Sequence, residues 1–216
     1  MQPPAGLLSA GGFHFHGAFM LAILILAAGR SSRMGEDDKL LQVVDGAPLV
    51  ATMVARARAS GSPVYAALPP DRPARWQALS NSGAVLVNVP DAAKGMGHSI
   101  AGGVAALPDG IGAVMILPAD MPEITSADIA TLCTAWEDAP QDGLLRATSQ
   151  DGKPGHPVIF PRRCFEDLKA LSEDQGARSV LSGEKPHLVA LPDRHALTDL
   201  DTPEDWHAWR AAQELR

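Results

Sequence analysis

The chain has 216 residues, of which 46% are hydrophobic and 20% are charged. This composition is typical of a globular protein and argues against long disordered or low-complexity stretches. The formal net charge of -7 argues against a broad binding surface for nucleic acid or for acidic lipid. We therefore expect neither nucleic acid nor a membrane as a partner, and a polyanionic ligand requires a local site.

The N-terminal residues 1–19 show no hydrophobic periodicity, and they are predicted to be a disordered extension. The apolar run at residues 20–26 is too short to span a membrane, no Lys or Arg precedes it, and a Gly-rich loop follows it directly. We therefore predict a buried first strand, not a secretory signal. Residues 20–216 are predicted to form one domain, with the cytoplasm as the default compartment.

Short apolar runs of strand length alternate with helical patterns along this domain. The runs cover residues 21–26, 64–68, 84–89, 113–117, 144–148, 157–160 and 188–191. Helices are predicted after Pro48, near residues 100–107, after residues 125–128 and after Thr202. The alternation predicts an α/β fold: a single-domain, Rossmann-like, mostly parallel sheet with helices on both faces. In such sheets ligands bind beyond the carboxyl ends of the strands.

The loop after the first strand, LAAGRSSRMG at residues 26–35, carries the clearest chemical signal. Its glycines let backbone N–H groups turn toward an anion, its serines add hydroxyl donors, and nearby cations balance the charge of a triphosphate. The spacing matches neither a Walker A loop nor GxGxxG. The loop therefore predicts a phosphate cradle, and the residues concerned are Gly29, Arg30, Ser31, Ser32, Arg33, Gly35 and Lys39.

Two later loops are expected at the same edge of the sheet. The first, GMGHS at residues 95–99, places glycines and Ser99 before a helix, where donors face an anion. Ile100 stands where a dinucleotide fingerprint needs a small residue, which argues against nicotinamide binding. The second loop carries Asp120 just after the fourth strand, and a carboxylate facing a triphosphate suits Mg²⁺.

The motif LAAGRSSRMG followed by DDKLL resembles the LAAGxSxRMGxxK signature of MobA-like nucleotidyltransferases, especially of the molybdenum cofactor cytidylyltransferase branch. Four later stretches resemble further family elements: GMGHS, DMP at residues 120–122, GHPVIF at residues 155–160 and DLDTPED at residues 199–205. The stretch DQGAR at residues 174–178 is similar to GDxGAR. The resemblance covers roughly residues 21–207 and implies a nucleotide-diphospho-sugar transferase-like fold.

The resemblance also implies roles for individual residues. The nucleotide would contact Leu26, Ala27, Ala28, Gly29, Arg30, Ser31, Ser32, Arg33, Lys39, Gly95, Gly97 and Ser99. Arg33 would handle phosphates and Lys39 would neutralise charge at the α-phosphate, so these two and Asp120 are the predicted catalytic residues. Asp120 and Asp201 would bind Mg²⁺, with Asp199 as a less favoured alternative and helix capping as another role for either aspartate. His156 and Arg178 would contact the acceptor.

The reaction implied by the resemblance is Mg²⁺-dependent transfer of CMP from CTP to molybdopterin or its molybdenum-loaded form, with release of pyrophosphate. Ala28 favours CTP but does not by itself exclude GTP. The alternatives are a guanylyl or sugar-phosphate nucleotidyltransferase, a MobA-like nicotinamide-dependent oxidoreductase, and a non-catalytic nucleotide-binding chaperone. A molybdoenzyme or its chaperone is a further partner that this function implies.

Overall fold

The computed structural model describes residues 20–35, 37–140, 142–173 and 175–215, without the side chain of Ser32. The extension predicted at residues 1–19 lies outside the described residues and stays a prediction, and Asp174 of the DQGAR stretch lies outside them too. No helix in the described ranges is long and apolar enough to cross a membrane.

A seven-stranded sheet forms the centre of the molecule, and each strand predicted from the sequence is confirmed. The strands in chain order are β1 (Met20–Leu26), β2 (Val43–Val44), β3 (Ala47–Pro48), β4 (Val64–Leu68), β5 (Val85–Asn88), β6 (Ile111–Pro118), β7 (Leu145–Thr148), β8 (Pro154–Pro161) and β9 (His187–Ala190). The order across the large sheet is β5-β4-β1-β6-β8-β7-β9, and β2 pairs with β3 as a separate hairpin. Within the large sheet β8 runs antiparallel to both its neighbours, whereas the other pairs are parallel.

The helices lie on both faces of the sheet, as predicted. They are α1 (Leu49–Arg58), α2 (Pro73–Leu79), α3 (Met96–Ala105), α4 (Ser126–Asp138), α5 (Phe165–Lys169) and α6 (Pro203–Glu214). Capping boxes begin α4 and α6, where the side chains of Thr125 and Thr202 accept from the N–H groups of Asp128 and Asp205.

Helix α3 begins at Met96, four residues before the start expected from the sequence. Gly95 turns the chain into the helix with φ 137°, a conformation that residues with a Cβ rarely adopt. Gly97 lies in the first turn, where a Cβ would lie only 2.6 Å from the carbonyl oxygen of Ser172. Gly97 and Ser99 therefore lie within the helix. The start of the helix depends on the close contact between Gly97 and Ser172, a residue distant in sequence.

Alternate residues of each central strand point to opposite faces and supply two hydrophobic cores. Ile23 and Ile25 belong to the core that includes buried residues of α1, α4 and α6. Leu24 belongs to the core on the other face, together with Ile100 of α3 and Phe165 of α5. Burial of each such side chain contributes about 1.5–3 kcal/mol, so the two cores fix the sheet and the helices that flank it.

Two backbone hydrogen bonds join the segments that leave the sheet at its carboxyl edge. The N–H of Ala119 donates to the carbonyl of Leu26 at 3.1 Å, so the exits of β1 and β6 lie side by side. The N–H of Leu200 donates to the carbonyl of Asp120 at 3.1 Å, which brings a C-terminal segment to the same place. Residues far apart in the sequence thus meet at one edge.

Gly155 of β8 allows a close contact that a side chain would block. A Cβ at this position would lie 1.9 Å from the carbonyl oxygen of Ala196. We expect Gly155→Ala to lower the free energy of unfolding by about 1–3 kcal/mol, because a backbone atom cannot yield easily. Urea denaturation measures the change. Gly110→Ala is the matched control, since a Cβ there meets nothing within 4 Å, and an equal loss in both variants would contradict the expectation.

Candidate active site

A cavity of about 500 Å³ lies at the carboxyl edge of the sheet, between the loop after β1 and the start of α3. The predicted residues that line it are Leu26, Ala28, Gly29, Arg30, Lys39, Gly95, Ser99, Asp120 and Asp201. A second cavity of about 470 Å³, between the β2–β3 hairpin and α6, has none of the predicted site residues among those that line it. The first cavity is therefore the candidate site.

Lys39 lies at the centre of the charged groups in this cavity. Its Nζ donates to Asp120 Oδ2 at 2.5 Å and to Asp201 Oδ1 at 2.6 Å. Burial of the ammonium works to lower the pKa of Lys39, but the charges and hydrogen bonds of the two carboxylates outweigh it, so the pKa is raised. Lys39 therefore stays protonated and holds together two carboxylates that would otherwise repel each other.

The capping box of α6 leaves the carboxylate of Asp201 available in the cavity. The cap is formed by Thr202 and Asp205, so the carboxylate of Asp201 is free to bind Lys39 and also pairs with Arg33. Asp199 lines the cavity as well. Burial raises the pKa of Asp199, and the charges of Asp120 and Asp201 add to this effect. Asp201 is the aspartate of this pair that shares a cation with Asp120.

Arg75 of α2 holds the loop after β1 in place, and the sequence analysis missed it. Its guanidinium is fully buried. Nε and Nη2 donate to the carboxylate of Asp38 at 2.7 and 2.8 Å, and Nη2 also donates to Ser31 Oγ at 3.1 Å. Nη1 donates to the carbonyls of Ala27 and Gly29 at 2.6 and 2.8 Å. These five hydrogen bonds match the five N–H donors of an arginine.

The Arg75 network orients the residue that precedes Lys39. Asp38 accepts from the N–H of Leu40 at 3.0 Å and so begins the short turn that carries Lys39. Burial works to raise the pKa of Asp38, but the hydrogen bonds and charge of Arg75 lower it overall. A weak signal was available in the sequence, because Arg75 and Leu79 lie one turn apart on the inward face of α2. The hydrogen-bond acceptors of Arg75, however, belong to a segment more than 30 residues away in the sequence.

The remaining predicted residues lie around the cavity, not in its wall. Ala27 is fully buried, and Ser31 is held by Arg75. Gly97 packs against Ser172, as described above. His156 on β8 has a buried Nδ1 without a hydrogen-bond partner among the described residues, and Arg178 is exposed beyond α5. Neither of these two predicted acceptor residues is among those that line the cavity.

Replacement of Arg75 tests the structural role of this network. We expect Arg75→Met to lower the free energy of unfolding by about 3–5 kcal/mol, because it leaves the carboxylate of Asp38 buried without its partner. Urea denaturation at pH 7 measures the loss. Arg72→Met is the control, since this half-buried neighbour donates, among the described residues, to the carbonyl of Arg30 alone, and it should change stability by less than about 1 kcal/mol.

The ion pair between Arg75 and Asp38 predicts that stability depends on pH. The pKa of Asp38 is lowered in the folded state from its ordinary 3.8. The stabilisation is therefore fully present above the unfolded pKa and is lost as the pH falls through the folded pKa. We expect the stability difference between wild type and Arg75→Met to shrink below about pH 4. A difference that stays constant down to pH 2 would contradict this assignment.

The sequence and the fold are both similar to those of known proteins. The purine catabolism protein PucB of Bacillus subtilis is 29% identical over 212 residues, which cover 88% of this chain and 95% of PucB. A probable molybdenum cofactor guanylyltransferase of Nostoc sp. is 29% identical over 191 residues, which cover 86% of this chain and 88% of that protein.

Solved structures confirm the predicted fold. The crystal structure of Rv0371c from Mycobacterium tuberculosis H37Rv matches with a TM-score of 0.76 and 25% identity, covering 88% of this chain and 97% of that one. The manganese complex of the same protein matches with a TM-score of 0.72 and 22% identity, with the same coverage. The family model of the MobA-like NTP transferase domain matches residues 23–190. The chain therefore belongs to the MobA-like NTP transferase family and is a nucleotidyltransferase of that type.

Proposed function

We propose that the chain transfers CMP from CTP to molybdopterin or its molybdenum-loaded form, in a reaction that depends on a divalent metal ion and releases pyrophosphate. The observation that carries the proposal is the position of Lys39 between Asp120 and Asp201, in a cavity bordered by the Gly-rich loop. This arrangement combines a cation for phosphate with two carboxylates for a metal ion. The motif LAAGRSSRMG supports the proposal through its resemblance to the cytidylyltransferase branch.

In the proposed reaction, an oxygen of the acceptor phosphate attacks the α-phosphorus of the nucleotide. A new P–O bond forms, the bond between the α-phosphorus and the bridging oxygen breaks, and pyrophosphate leaves with that oxygen. A phosphate monoester is already ionised at neutral pH, so no protein base is required. The backbone from Leu26 to Gly29 would hold base and ribose, while Arg30, Arg33 and Lys39 would neutralise phosphate charge.

The residues present fit a magnesium ion. In the described part of the chain no three His, Cys, Asp or Glu side chains form a ready metal site. Asp120 and Asp201 nevertheless share one cation, Lys39, and Mg²⁺ is commonly bound by one or two carboxylates plus substrate phosphates. When bound there, the ion would offset charge on the triphosphate. Support comes from the manganese complex of Rv0371c, a protein of the same fold.

The first test is the release of pyrophosphate from CTP, GTP, ATP and UTP in the presence of Mg²⁺ and molybdopterin. We expect CTP to be preferred and Asp120→Asn to lower the rate by roughly 10²-fold or more. Asp109→Asn is the control, since among the described residues this exposed carboxylate pairs with Arg162 alone. Full activity of Asp120→Asn would refute the proposed metal site, and release from no nucleotide would refute the molybdopterin acceptor.

A preference for GTP would place the protein in the guanylyl branch, the second candidate. That candidate is favoured by the similarity to the Nostoc relative, a probable molybdenum cofactor guanylyltransferase. The name of PucB, purine catabolism protein, does not say whether its nucleotide carries cytosine or guanine. Comparing pyrophosphate release from CTP and from GTP, with one protein preparation, decides between the two branches.

The position of Lys39 also predicts how strongly a metal ion binds when no nucleotide is present. Its ammonium occupies the space between Asp120 and Asp201, so an ion bound by both carboxylates must displace it. We expect Lys39→Met to bind Mn²⁺ more tightly than wild type, as followed by electron paramagnetic resonance, while turnover falls by roughly 10²-fold. Lys169→Met, at an exposed lysine paired with Glu166, is the control. Unchanged or weaker Mn²⁺ binding in Lys39→Met would contradict the proposed displacement.

A further inference from the structure

Asp201 belongs to the segment between β9 and α6, and residues 191–202 contain neither a helix nor a strand. The position of Asp201 therefore depends on contacts between this segment and other parts of the protein. Ala196 and Leu200 are buried in the hydrophobic core, which anchors the middle of the segment. The hydrophobic effect is not directional, so these apolar contacts alone do not fix the exact course of the backbone.

His195 makes a polar contact that joins the start of this segment to α4. Its Nδ1 lies 2.9 Å from Oδ2 of Asp128, and only 14% of the His195 side chain and 4% of the Asp128 side chain are exposed. An ionised carboxylate only accepts hydrogen bonds, so Nδ1 carries the proton and donates it. Because little water reaches this pair, solvent does not readily replace the hydrogen bond when the donor is removed.

The carboxylate that accepts from His195 also begins α4. Oδ2 of Asp128 accepts from the N–H and from the hydroxyl of Thr125, each at 2.8 Å. A capping box needs the contact with the N–H of its first residue, but it needs no donor from outside the helix start. His195 is such an outside donor, 67 residues away in the sequence. The cap of α4 thus also holds the segment that leads to Asp201.

The capping box of α6 has the same arrangement at the other end of the segment. Oδ2 of Asp205 accepts from the N–H and from the hydroxyl of Thr202, at 2.9 and 2.7 Å. It also accepts from the N–H of Asp201 at 3.2 Å. The capping carboxylates of two helices therefore hold the two ends of residues 195–201.

We propose that His195 is a positioning residue for nucleotidyl transfer. Its hydrogen bond to Asp128 holds residues 195–201 in place. The carboxylate of Asp201 thereby stays beside that of Asp120, where the two share one cation. The inference rests on the proposed function, because it concerns the carboxylates that would bind the metal ion. His195 is not among the described residues that line the candidate cavity, so it acts through the segment and does not touch a substrate.

Hydrogen exchange and metal binding test this role in the free protein. We expect His195→Leu to speed the exchange of the Leu200 N–H, which donates to the carbonyl of Asp120. The same variant should bind Mn²⁺ about tenfold more weakly, as followed by electron paramagnetic resonance, and turnover should fall by roughly tenfold or more. His195→Asn should restore all three, because its amide N–H takes the place of Nδ1. His207→Leu, at an exposed histidine of α6, is the matched control and should behave like wild type.

Unchanged exchange of the Leu200 N–H in His195→Leu would overturn the inference. Faster exchange with unchanged Mn²⁺ affinity would overturn it too, because His195 would then hold the segment without positioning the carboxylate. If His195→Leu does not fold, as judged by thermal unfolding, His195→Gln decides. The longer amide places its donor near Nε2 and not at Nδ1, so weaker Mn²⁺ binding supports the role and unchanged binding overturns it.

The outcome for His195 is separate from the outcome for the proposed function. Exchange and Mn²⁺ binding are measured without nucleotide and without an acceptor. A wild-type protein that releases pyrophosphate from no nucleotide would therefore remove the proposed reaction alone, while the two other measurements still decide the role of His195.

Discussion

The buried guanidinium of Arg75 is the interaction on which the geometry of the candidate site depends. A buried cation is costly unless its donors are satisfied, and here five hydrogen bonds satisfy them. The acceptors belong to both ends of one loop: Ala27 and Gly29 at its start, Asp38 at its end. A loop rich in small residues has little side-chain packing of its own. The network therefore supplies the rigidity that local sequence does not.

The charged groups around Lys39 in the cavity are balanced by one another. Around Lys39, two carboxylates and the exposed Arg33 form a connected set of ion pairs. Binding of a metal ion or a triphosphate must rearrange these pairs, because the carboxylates and the cations are already partners of one another.

The sheet explains how residues so distant in sequence form one site. Lys39 is separated by 81 residues from Asp120 and by 162 from Asp201. The parallel strands β1 and β6 end at the same edge, and the C-terminal segment is hydrogen-bonded to Asp120 at Leu200. The hydrophobic cores on the two faces hold these strands in register. Charged groups then meet because buried apolar groups have fixed the backbone, and their attraction adjusts only the final positions.

The sequence by itself determined the α/β class, each strand of the large sheet, the caps of α4 and α6 and the family, because these follow from apolar periodicity, capping chemistry and one specific loop motif. It left open which of Asp199 and Asp201 shares a cation with Asp120, and it missed Arg75 and the start of α3. Only the tertiary structure decided these points. The direction of the Asp201 side chain, the burial of Arg75 and the helical position of Gly97 all depend on contacts with segments distant in sequence. Local patterns do not carry that information, since the same residues would be solvated in an isolated segment.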